Sequence, residues 1–324
     1  MDLSTLTMTE IIRLQNQLSA ELARRFERPM ALAFTDIVGS TPYFRRFGDE
    51  AGRKLQQRHL DLVLSAVTRW RGRIVDTAGD GAFLCFPHVD DALHAMVQLQ
   101  AETAQANFAT ARDHQLNLRI GIHHGSVLTD GLAVTGDAVN LCARVAASAA
   151  EGEVRLTRAA ASEISDLVRR LSCAPIGPVV LKGLDRPVDL LSFDWRDPAK
   201  FPSRVKIVET GAEIALPNKD FLSFVRLADA EGVVANDVVL SLPDPNQTKQ
   251  ISRWHFELRR GPDGYVFRCV TEQATMVDGA TLSKGMEVPV RPGSKVRLGL
   301  AMTLLFESRA PTGPVGDATF AVPR

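Results

Sequence analysis

The chain has 324 residues, and its 38 basic and 38 acidic side chains give a formal net charge of zero. A neutral chain has no overall field that would attract it to nucleic acid or to an anionic membrane, so neither is expected as a partner and any anion must be bound locally. The length exceeds what one hydrophobic core usually supports and predicts two domains, while the lack of an apolar run of roughly 20 residues predicts a cytoplasmic protein.

The first predicted element is an amphipathic helix within residues 1–27. Thr7 and Glu10 have the spacing of a capping box, and an apolar side chain then recurs at helical intervals at Ile11, Leu14, Leu18, Leu22 and Phe26. Such a helix packs on its own domain or on a partner subunit, and the first arrangement is the simpler expectation.

Strand and helix patterns alternate over residues 28–196, which predicts an α+β domain. The expected elements are a strand at 31–38, a helix around 50–70, a hairpin at 72–86, a helix at 91–109, a strand at 116–125, a helix at 137–147 and a strand pair formed by 153–157 and 178–183.

Helical periodicity ends near residues 197–204, which contain prolines and charges and are predicted to be a linker. Residues 205–307 contain short strand patterns separated by Gly, Pro, Asn and Asp, as in an all-β sandwich. Residues 308–324 are rich in Pro, Gly and Ala and are expected to form a flexible tail.

Two carboxylates stand at predicted strand ends. Asp36 follows the buried strand 31–35, and Asp80 lies between two glycines at the tip of the predicted hairpin. Carboxylates on neighbouring strand ends can hold two hard divalent cations, an arrangement that stabilises the attacking and leaving oxygens of phosphoryl transfer.

These residues resemble the class III adenylate/guanylate cyclases. Five segments fit the motifs of that family in the same order, at Phe34–Thr41, Gly79–Gly81, Leu118–Gly125, Gly136–Arg144 and Leu181–Gly183. The resemblance covers residues 28–196 and implies a ferredoxin-like fold. It also implies that ATP is converted to 3′,5′-cyclic AMP and pyrophosphate.

The resemblance assigns a role to each matched residue. Asp36, Ile37 and Asp80 would bind two Mg²⁺ or Mn²⁺ ions per active site. Asn140 and Arg144 would orient the ribose and neutralise charge on the α-phosphoryl group, and Lys182 would hold the terminal phosphates. In the family these two sets of residues come from different subunits, so a homodimer with two equivalent sites is expected.

The pair of residues expected to recognise the base departs from the family pattern. Adenylate cyclases usually have a Lys where this chain has Asp76, and an Asp or Thr where it has Ala133. A carboxylate at position 76 repels the lone pair of adenine N1 but can accept from guanine N1–H. ATP is the expected substrate, because related bacterial domains with a nonstandard residue here are mostly classed as adenylate cyclases, and GTP is the alternative.

Residues 221–306 resemble a forkhead-associated (FHA) domain, an eleven-stranded sandwich that binds phosphothreonine through its loops. Ser252, Arg253 and His255 fit its S-R-x-H motif, Arg226 stands where the family has the arginine of a G-R pair, and Gln273 replaces the usual recognition-loop Asn. The resemblance implies that Arg226, Ser252, Arg253 and Gln273 would contact a phosphothreonine protein. His255 would brace the loop.

Two functions of different classes fit this sequence. One is an active nucleotide cyclase whose FHA domain regulates or locates it, and the other is a catalytically silent cyclase homologue that acts as a binding or scaffold module. The presence of Asp36, Asp80, Asn140, Arg144 and Lys182 favours the enzyme, whereas the altered residues Asp76 and Ala133 favour the scaffold.

Overall fold

The structure is a computed structural model that describes residues 6–77, 79–226, 237–261 and 263–308. The chain divides into two compact units, residues 1–99 with 116–194 and residues 100–115 with 195–324. Among the helices of these described ranges, none combines the length and the apolar character that crossing a bilayer requires. The predicted tail beyond residue 308 lies outside the described residues. So does Asn236, which begins a segment (236–239) that also fits a strand of the FHA pattern.

The segment from residue 6 to residue 194 contains six α-helices, a short 3₁₀-helix (Arg112–His114) and eight strands among its described residues. The helices are α1 (Met8–Phe26), α2 (Ser40–Arg69), α3 (Val89–Phe108), α4 (Asp137–Ser148), α5 (Arg158–Ser162) and α6 (Leu167–Leu171). The strands are β1 (Glu27–Ile37), β2 (Arg73–Asp76), β3 (Gly81–Phe86), β4 (Leu118–Thr129), β5 (Val134–Thr135), β6 (Val154–Thr157), β7 (Cys173–Val179) and β8 (Val188–Phe193).

The eight strands form one sheet in the order β2-β3-β1-β4-β6-β8-β7, with β5 paired to β4. Strands β1 to β4 follow the chain order β-α-β-β-α-β and lie in the spatial order β2-β3-β1-β4, which is the ferredoxin-like arrangement. The prediction of a ferredoxin-like α+β fold is confirmed for this part of the chain. Because β1 is central, the strand that carries Asp36 has neighbours on both sides.

Helix α1 begins and ends close to the predicted positions. The side chain of Thr7 accepts from the backbone of Glu10, and the Glu10 carboxylate accepts from the backbone of Thr7, so the predicted capping box is present. The helix contacts β1 and β4 but buries none of its own residues. Ile11, Leu18 and Leu22 are exposed, whereas Leu14 and Phe26 are half-buried.

Two predicted elements were wrong in part. Helix α2 begins at Ser40 rather than near residue 50, because two helical pieces join across Gly48, whose φ of 82° is not helical. The segments 153–157 and 178–183 do not pair with each other. Strand β8, which was not predicted, lies between β6 and β7 in the sheet.

Helix α4 packs closely on β4. A Cβ added to Gly121 would lie 2.2 Å from the backbone nitrogen of Ala146, so only glycine permits this approach. Cys142 on the same helix is buried with Leu32 and Val127 of the sheet. This packing fixes the position of the helix that carries Asn140 and Arg144.

From residue 195 onward, eleven strands are present among the described residues, in two sheets ordered β10-β9-β19-β18-β15-β16 and β12-β11-β13-β14-β17. The strands are β9 (Arg204–Ile207), β10 (Glu213–Ala215), β11 (Phe221–Val225), β12 (Val238–Val239), β13 (Trp254–Gly261), β14 (Gly264–Cys269), β15 (Thr275–Val277), β16 (Ala280–Leu282), β17 (Glu287–Val290), β18 (Lys295–Leu298) and β19 (Met302–Glu307), with a short helix α7 (Pro245–Thr248).

The predicted all-β character of this part is confirmed, although strand β12 is only two residues long. Side chains from both sheets, among them Phe224, Phe256 and Phe306, form one buried cluster. The turn between β15 and β16 places Asp278 and Gly279 at positive φ (48° and 89°), as a tight hairpin turn requires.

Candidate active site

The two predicted carboxylates meet in one pocket. Strands β1 and β3 pair with Asp36 opposite Gly81, which brings the hairpin residue Asp80 beside the end of β1. Asp36 and Asp80 both line a pocket of about 180 Å³, whose opposite wall is formed by small side chains of α4. Those side chains are Ala143, Ala146 and Ala147.

Two carboxylates and one guanidinium set the charge of this pocket. Burial raises the pKa of Asp36, the guanidinium of Arg119 lowers it, and the nearby Asp80 raises it again. Arg119 Nε donates to Asp36 Oδ2 over 2.7 Å, and the Ser40 hydroxyl donates to Asp80 Oδ2. Two adjoining carboxylates in a partly buried pocket are hard oxygen ligands that fit Mg²⁺ or Mn²⁺.

Ile37 can contribute only its main chain to such a site. Its side chain is buried at the end of β1, and its backbone stands opposite Leu118 in the pairing of β1 with β4. No cluster of three or more His, Cys, Asp or Glu side chains suited to a metal occurs in the described ranges. A cation held by Asp36 and Asp80 would therefore complete its coordination with substrate, water or main-chain oxygens.

A buried histidine, which the sequence analysis did not identify, supports both carboxylate-bearing segments. His59 of α2 is 1% exposed, and its Nε2 lies 2.9 Å from the Thr35 hydroxyl. The ring also hydrogen-bonds the main chain of Asp80, and burial lowers the pKa of His59 to about 4. The neutral ring thus joins the end of β1 to the β2–β3 hairpin.

The predicted substrate-binding residues lie on α4 and on the loop after β7. Asn140 is exposed, and Arg144 follows it one turn later on the same face of α4. Arg144 Nη1 donates to the carbonyl of Gly183, which directly follows the exposed Lys182. Gly183 has a φ of 73°, and an added Cβ would lie 3.3 Å from Arg144 Nη1.

These three polar residues are separate from the carboxylate pocket of their own chain. Asn140, Arg144 and Lys182 are absent from the lining of that pocket, to which α4 contributes only alanines, as far as the described residues show. The structure therefore brings together Asp36 with Asp80, and Arg144 with the Lys182–Gly183 turn, but does not join the two sets within one chain.

The predicted base-recognition positions lie on neighbouring segments. Asp76 is exposed at the end of β2, and its Oδ1 accepts from the backbone of Thr77 over 2.8 Å. Ala133 is also exposed, in the turn between β4 and β5. Arg73 of β2 donates to the carbonyl of Leu132 over 2.7 Å, so β2 contacts the turn that contains Ala133.

The four predicted phosphopeptide contacts lie at one end of the second sheet. Neighbouring strands among β11, β13 and β14 run antiparallel. The end of β11, the start of β13 and the end of β14 therefore lie at the same end of the sheet. Ser252 Oγ lies 2.6 Å from Thr271 Oγ1, which also accepts from the backbone of Gln273 over 3.2 Å. The backbone of Arg226 donates to the carbonyl of Arg253 over 3.4 Å.

His255 supports this edge from inside the protein. The ring is fully buried, accepts from the backbone of Ser252 at Nδ1 over 3.2 Å and lies 3.1 Å from the Thr275 hydroxyl at Nε2. Arg226 Nη1 donates to the carbonyl of Lys249 over 2.9 Å. Residues 227–236, which follow Arg226 in the chain, lie outside the described residues.

Several known cyclases are similar to part of this chain. "Putative adenylate cyclase 3" of Rhizobium meliloti is 25% identical over 178 residues, which are 55% of this chain and 30% of that relative. Adenylate cyclases of Trypanosoma brucei in their monomeric state have a similar structure, with a TM-score of 0.46 and 22% identity over 52% of this chain and 90% of theirs. The GTP complex of the guanylate cyclase domain of RhGC from Catenaria anguillulae has a TM-score of 0.45 and 21% identity, over 53% and 99% of the two chains.

The curated relatives are longer proteins. The part that aligns with this chain is 30% or less of the length of each relative. The sequence profile of the adenylate and guanylate cyclase catalytic domain matches residues 23–190, slightly more than half of the chain. This protein therefore belongs to the adenylate and guanylate cyclase catalytic domain family.

Proposed function

We propose that this protein is a nucleotide cyclase that converts ATP to 3′,5′-cyclic AMP and pyrophosphate at a site shared by two copies of the chain. One observation carries the proposal. Asp36 and Asp80 converge in one pocket, while Asn140, Arg144 and Lys182 stand on exposed segments outside it.

A homodimer would unite the two sets of residues. One subunit would contribute the carboxylate pocket, and the second would contribute Asn140 and Arg144 from α4 and Lys182 from the adjoining turn. Twofold symmetry creates two such sites at once, because each subunit presents both sets. A monomer would lack a complete site and would be inactive.

Mg²⁺ or Mn²⁺ ions fit the carboxylate pair. Their proposed ligands are Asp36, Asp80 and the main chain of Ile37. When bound, they would lower the pKa of the ribose 3′-hydroxyl and neutralise phosphate charge. The neutral ring of His59 holds the two carboxylate-bearing segments in place, and Ser40 fixes one oxygen of Asp80.

The residues of the second subunit would bind the substrate. Asn140 would orient the ribose so that its 3′-oxygen is in line with the α-phosphorus. Arg144 would stabilise the charge that develops on the α-phosphoryl oxygens, and the compact charge of Lys182 would hold the terminal phosphates. The hydrogen bond from Arg144 to Gly183 keeps these two cations next to each other.

The assignment of ATP is supported by the name of the Rhizobium meliloti relative, "Putative adenylate cyclase 3". GTP is a second candidate, because the exposed carboxylate of Asp76 can accept hydrogen bonds from guanine and cannot donate to adenine. Ala133 contributes no side-chain hydrogen bond to either base.

We also propose that the C-terminal sandwich is an FHA-type module that docks a phosphothreonine protein or regulates the enzyme. Support comes from its eleven described strands in two sheets and from the placement of Arg226, Ser252, Arg253 and Gln273 at one edge. Fluorescence anisotropy with matched phosphothreonine and threonine peptides tests this proposal. Equal binding of both peptides would contradict it.

The enzymatic proposal is tested by product formation from ATP and GTP in parallel with Mg²⁺ or Mn²⁺. We expect cyclic AMP from the wild type and a loss on the order of 100-fold or more in Asp80→Ala, because one metal ligand is removed. Asp189→Ala is the control, since Asp189 is an exposed carboxylate of the same sheet that pairs with Arg158.

The remaining outcomes distinguish the alternatives. Cyclic GMP alone would assign GTP as the substrate. No product from a dimeric, metal-bound wild type would indicate a silent homologue that acts as a binding module, and full activity in Asp80→Ala would contradict the metal assignment.

A further inference from the structure

A cavity lined mainly by polar and charged side chains lies in the second compact unit, which consists of residues 100–115 and 195–324. Its volume is about 260 Å³, and its lining comes from residues 107–115, from residues 220–221 and from strands β13 and β14. Four guanidinium groups against two carboxylates leave an excess of two positive charges. The arginines are Arg112, Arg259, Arg260 and Arg268, and the carboxylates are those of Asp220 and Glu257.

Three of the charged side chains share one face of the sheet that contains β11, β13 and β14. Glu257 and Arg259 are two residues apart on β13, so their side chains point to the same side. Arg268 of β14 stands directly opposite Glu257, and Phe221 of β11 stands directly opposite Arg259. The guanidinium of Arg112 lies over the Phe221 ring, 4.3 Å from its centre. Two guanidinium groups therefore flank the Glu257 carboxylate on this face, and a third lies over the neighbouring ring.

The Glu257 carboxylate is an acceptor without a partner. The residue is 8% exposed, and no hydrogen bond or ion pair joins its carboxylate to any residue that the structure describes. Its neighbour Arg268 has its Nε 3.8 Å from Glu287 Oε1 instead. An ionised carboxylate accepts hydrogen bonds and donates none, and a buried acceptor that stays unmatched costs free energy. A ligand that supplies a donor at this point would satisfy it.

Hydrogen-bond donors of the cavity also lack partners. Arg260 is buried and its Nε donates to Asp220 Oδ1 over 2.9 Å, but its Nη1 has no partner among the described residues. Neither Arg112 nor Arg259 forms an ion pair with a carboxylate of those residues. Asp220 is fully engaged, because Asn107 Nδ2 donates to its second oxygen over 2.8 Å. The cavity thus offers several guanidinium donors that its own carboxylates do not occupy.

A phosphate group that carries a proton fits this combination of donors and one acceptor. Guanidinium groups bind phosphate oxygens through pairs of parallel hydrogen bonds. Inorganic phosphate keeps a proton on at least one oxygen at neutral pH, and this P–OH group can donate to a carboxylate. Sulfate has the same shape but carries no proton at neutral pH, so its oxygens would face the Glu257 carboxylate and be repelled. The volume of about 260 Å³ is sufficient for such an anion and below the roughly 300–1,000 Å³ of sites for drug-sized ligands.

We propose that this cavity binds a protonated phosphate group, with Arg112, Arg259 and Arg268 as donors to its oxygens and Glu257 as the acceptor for its proton. Inorganic phosphate and pyrophosphate both supply such a group. The cavity shares no residue with the carboxylate pocket or with the proposed phosphothreonine edge. The proposal therefore does not depend on the proposed enzymatic function.

The test is equilibrium dialysis of the full-length protein with radiolabelled inorganic phosphate, without divalent cations, so that no metal ion in the carboxylate pocket holds the label. We expect saturable binding that is weakened at least about tenfold in Arg259→Met and in Arg268→Met. Arg297→Met is the matched control, because it removes an exposed arginine of the other sheet and should leave the affinity unchanged. Circular dichroism shows whether each variant is folded. Absence of saturable binding by the folded wild type would overturn the proposal.

Sulfate tests the part of the proposal that concerns Glu257. Displacement of the label should require at least about tenfold more sulfate than phosphate in the wild type, since sulfate cannot donate to the carboxylate. In Glu257→Gln the side-chain amide can donate to either anion, so we expect a gain in sulfate affinity that reduces the preference to less than about threefold. Equal affinity of the wild type for the two anions would overturn the proposal. An unchanged preference in folded Glu257→Gln would do the same.

Two further comparisons identify the source of the phosphate group and its location. Displacement of the label by less pyrophosphate than phosphate would assign pyrophosphate as the ligand, and the reverse order would assign free phosphate. Either order supports the proposal. Binding that is lost in Arg253→Met and kept in Arg259→Met would place the anion at the proposed phosphothreonine edge and overturn the proposal.

Discussion

Three buried histidines share one kind of environment in this protein. Each has a ring nitrogen within about 3 Å of a threonine hydroxyl, and burial lowers the pKa of each to about 4. The pairs are His59 with Thr35, His123 with Thr157, and His255 with Thr275. Each histidine is therefore neutral in the folded protein near pH 7.

These depressed pKa values make the folded state sensitive to acid. The ordinary value of 6.5 applies to the unfolded chain, so below pH 6.5 the unfolded state binds more protons than the folded state. The stabilisation is present above pH 6.5 and is lost as the pH falls toward about 4. Each histidine adds a slope of about 1.4 kcal/mol per pH unit in this window.

Replacing one of these histidines should reduce that slope. We expect His255→Gln to lower the free energy of unfolding at pH 7, through the loss of the contacts with Ser252 and Thr275, and to flatten its decline between pH 6.5 and 4. Urea unfolding at several pH values measures both effects. His88→Gln is the control at an exposed position, and an unchanged slope in His255→Gln would contradict the account.

At this scale the sequence pointed to candidate site residues that belong to local motifs, and it missed residues whose contacts depend on packing. Asp36, Asp80, Asn140 and Arg144 were predicted from local motifs, and their catalytic roles stay predictions. The ion pair between Arg119 and Asp36 depends on the register between β1 and β4, which brings together residues 83 positions apart. His59 could have been noticed as a histidine on the buried face of α2, four residues after Leu55 and four before Val63.

At the scale of elements, the helices and strands of the first unit were predictable where their patterns were strong. Helix α4 and strand β4 follow clear motifs, and their bounds lie close to the predicted ones. The pairing of β6 was not predictable, because its partners are β4, in parallel, and the unpredicted β8. Strand order depends on contacts between distant segments, which a local pattern does not contain.

The close packing of α4 on β4 can be tested by substituting Gly121. Gly121→Ala places a methyl group within 2.2 Å of the Ala146 backbone, and a backbone atom cannot move aside as a flexible side chain can. We expect unfolding free energy to fall by about 2 to 3 kcal/mol and turnover to fall with it, because α4 is displaced. Urea unfolding and the product assay measure the two effects.

Ser126→Ala is the control for this substitution, since Ser126 is an exposed residue of the same strand. It should change the unfolding free energy by no more than about 0.5 kcal/mol. Wild-type stability in Gly121→Ala would show that β4 and α4 are not packed as closely as described.

At the scale of the whole molecule, the central feature is that the two sets of proposed site residues lie apart within one chain. The carboxylates of Asp36 and Asp80 face the alanines of α4, and the polar residues Asn140 and Arg144 are directed to other surroundings. A sequence can show that both sets are present. It does not show that the fold keeps them apart, because the separation depends on how α4 packs on β1 and β4.

Complementation between two inactive variants tests the shared site most directly. Asp36→Ala and Arg144→Ala should each be inactive alone, because each homodimer loses the same half of both sites. In an equimolar mixture that exchanges subunits, half of the dimers are heterodimers and each has one intact site, so we expect about a quarter of wild-type cyclic nucleotide formation. Full inactivity of a mixture with proven heterodimers would contradict a cyclase site divided between two subunits.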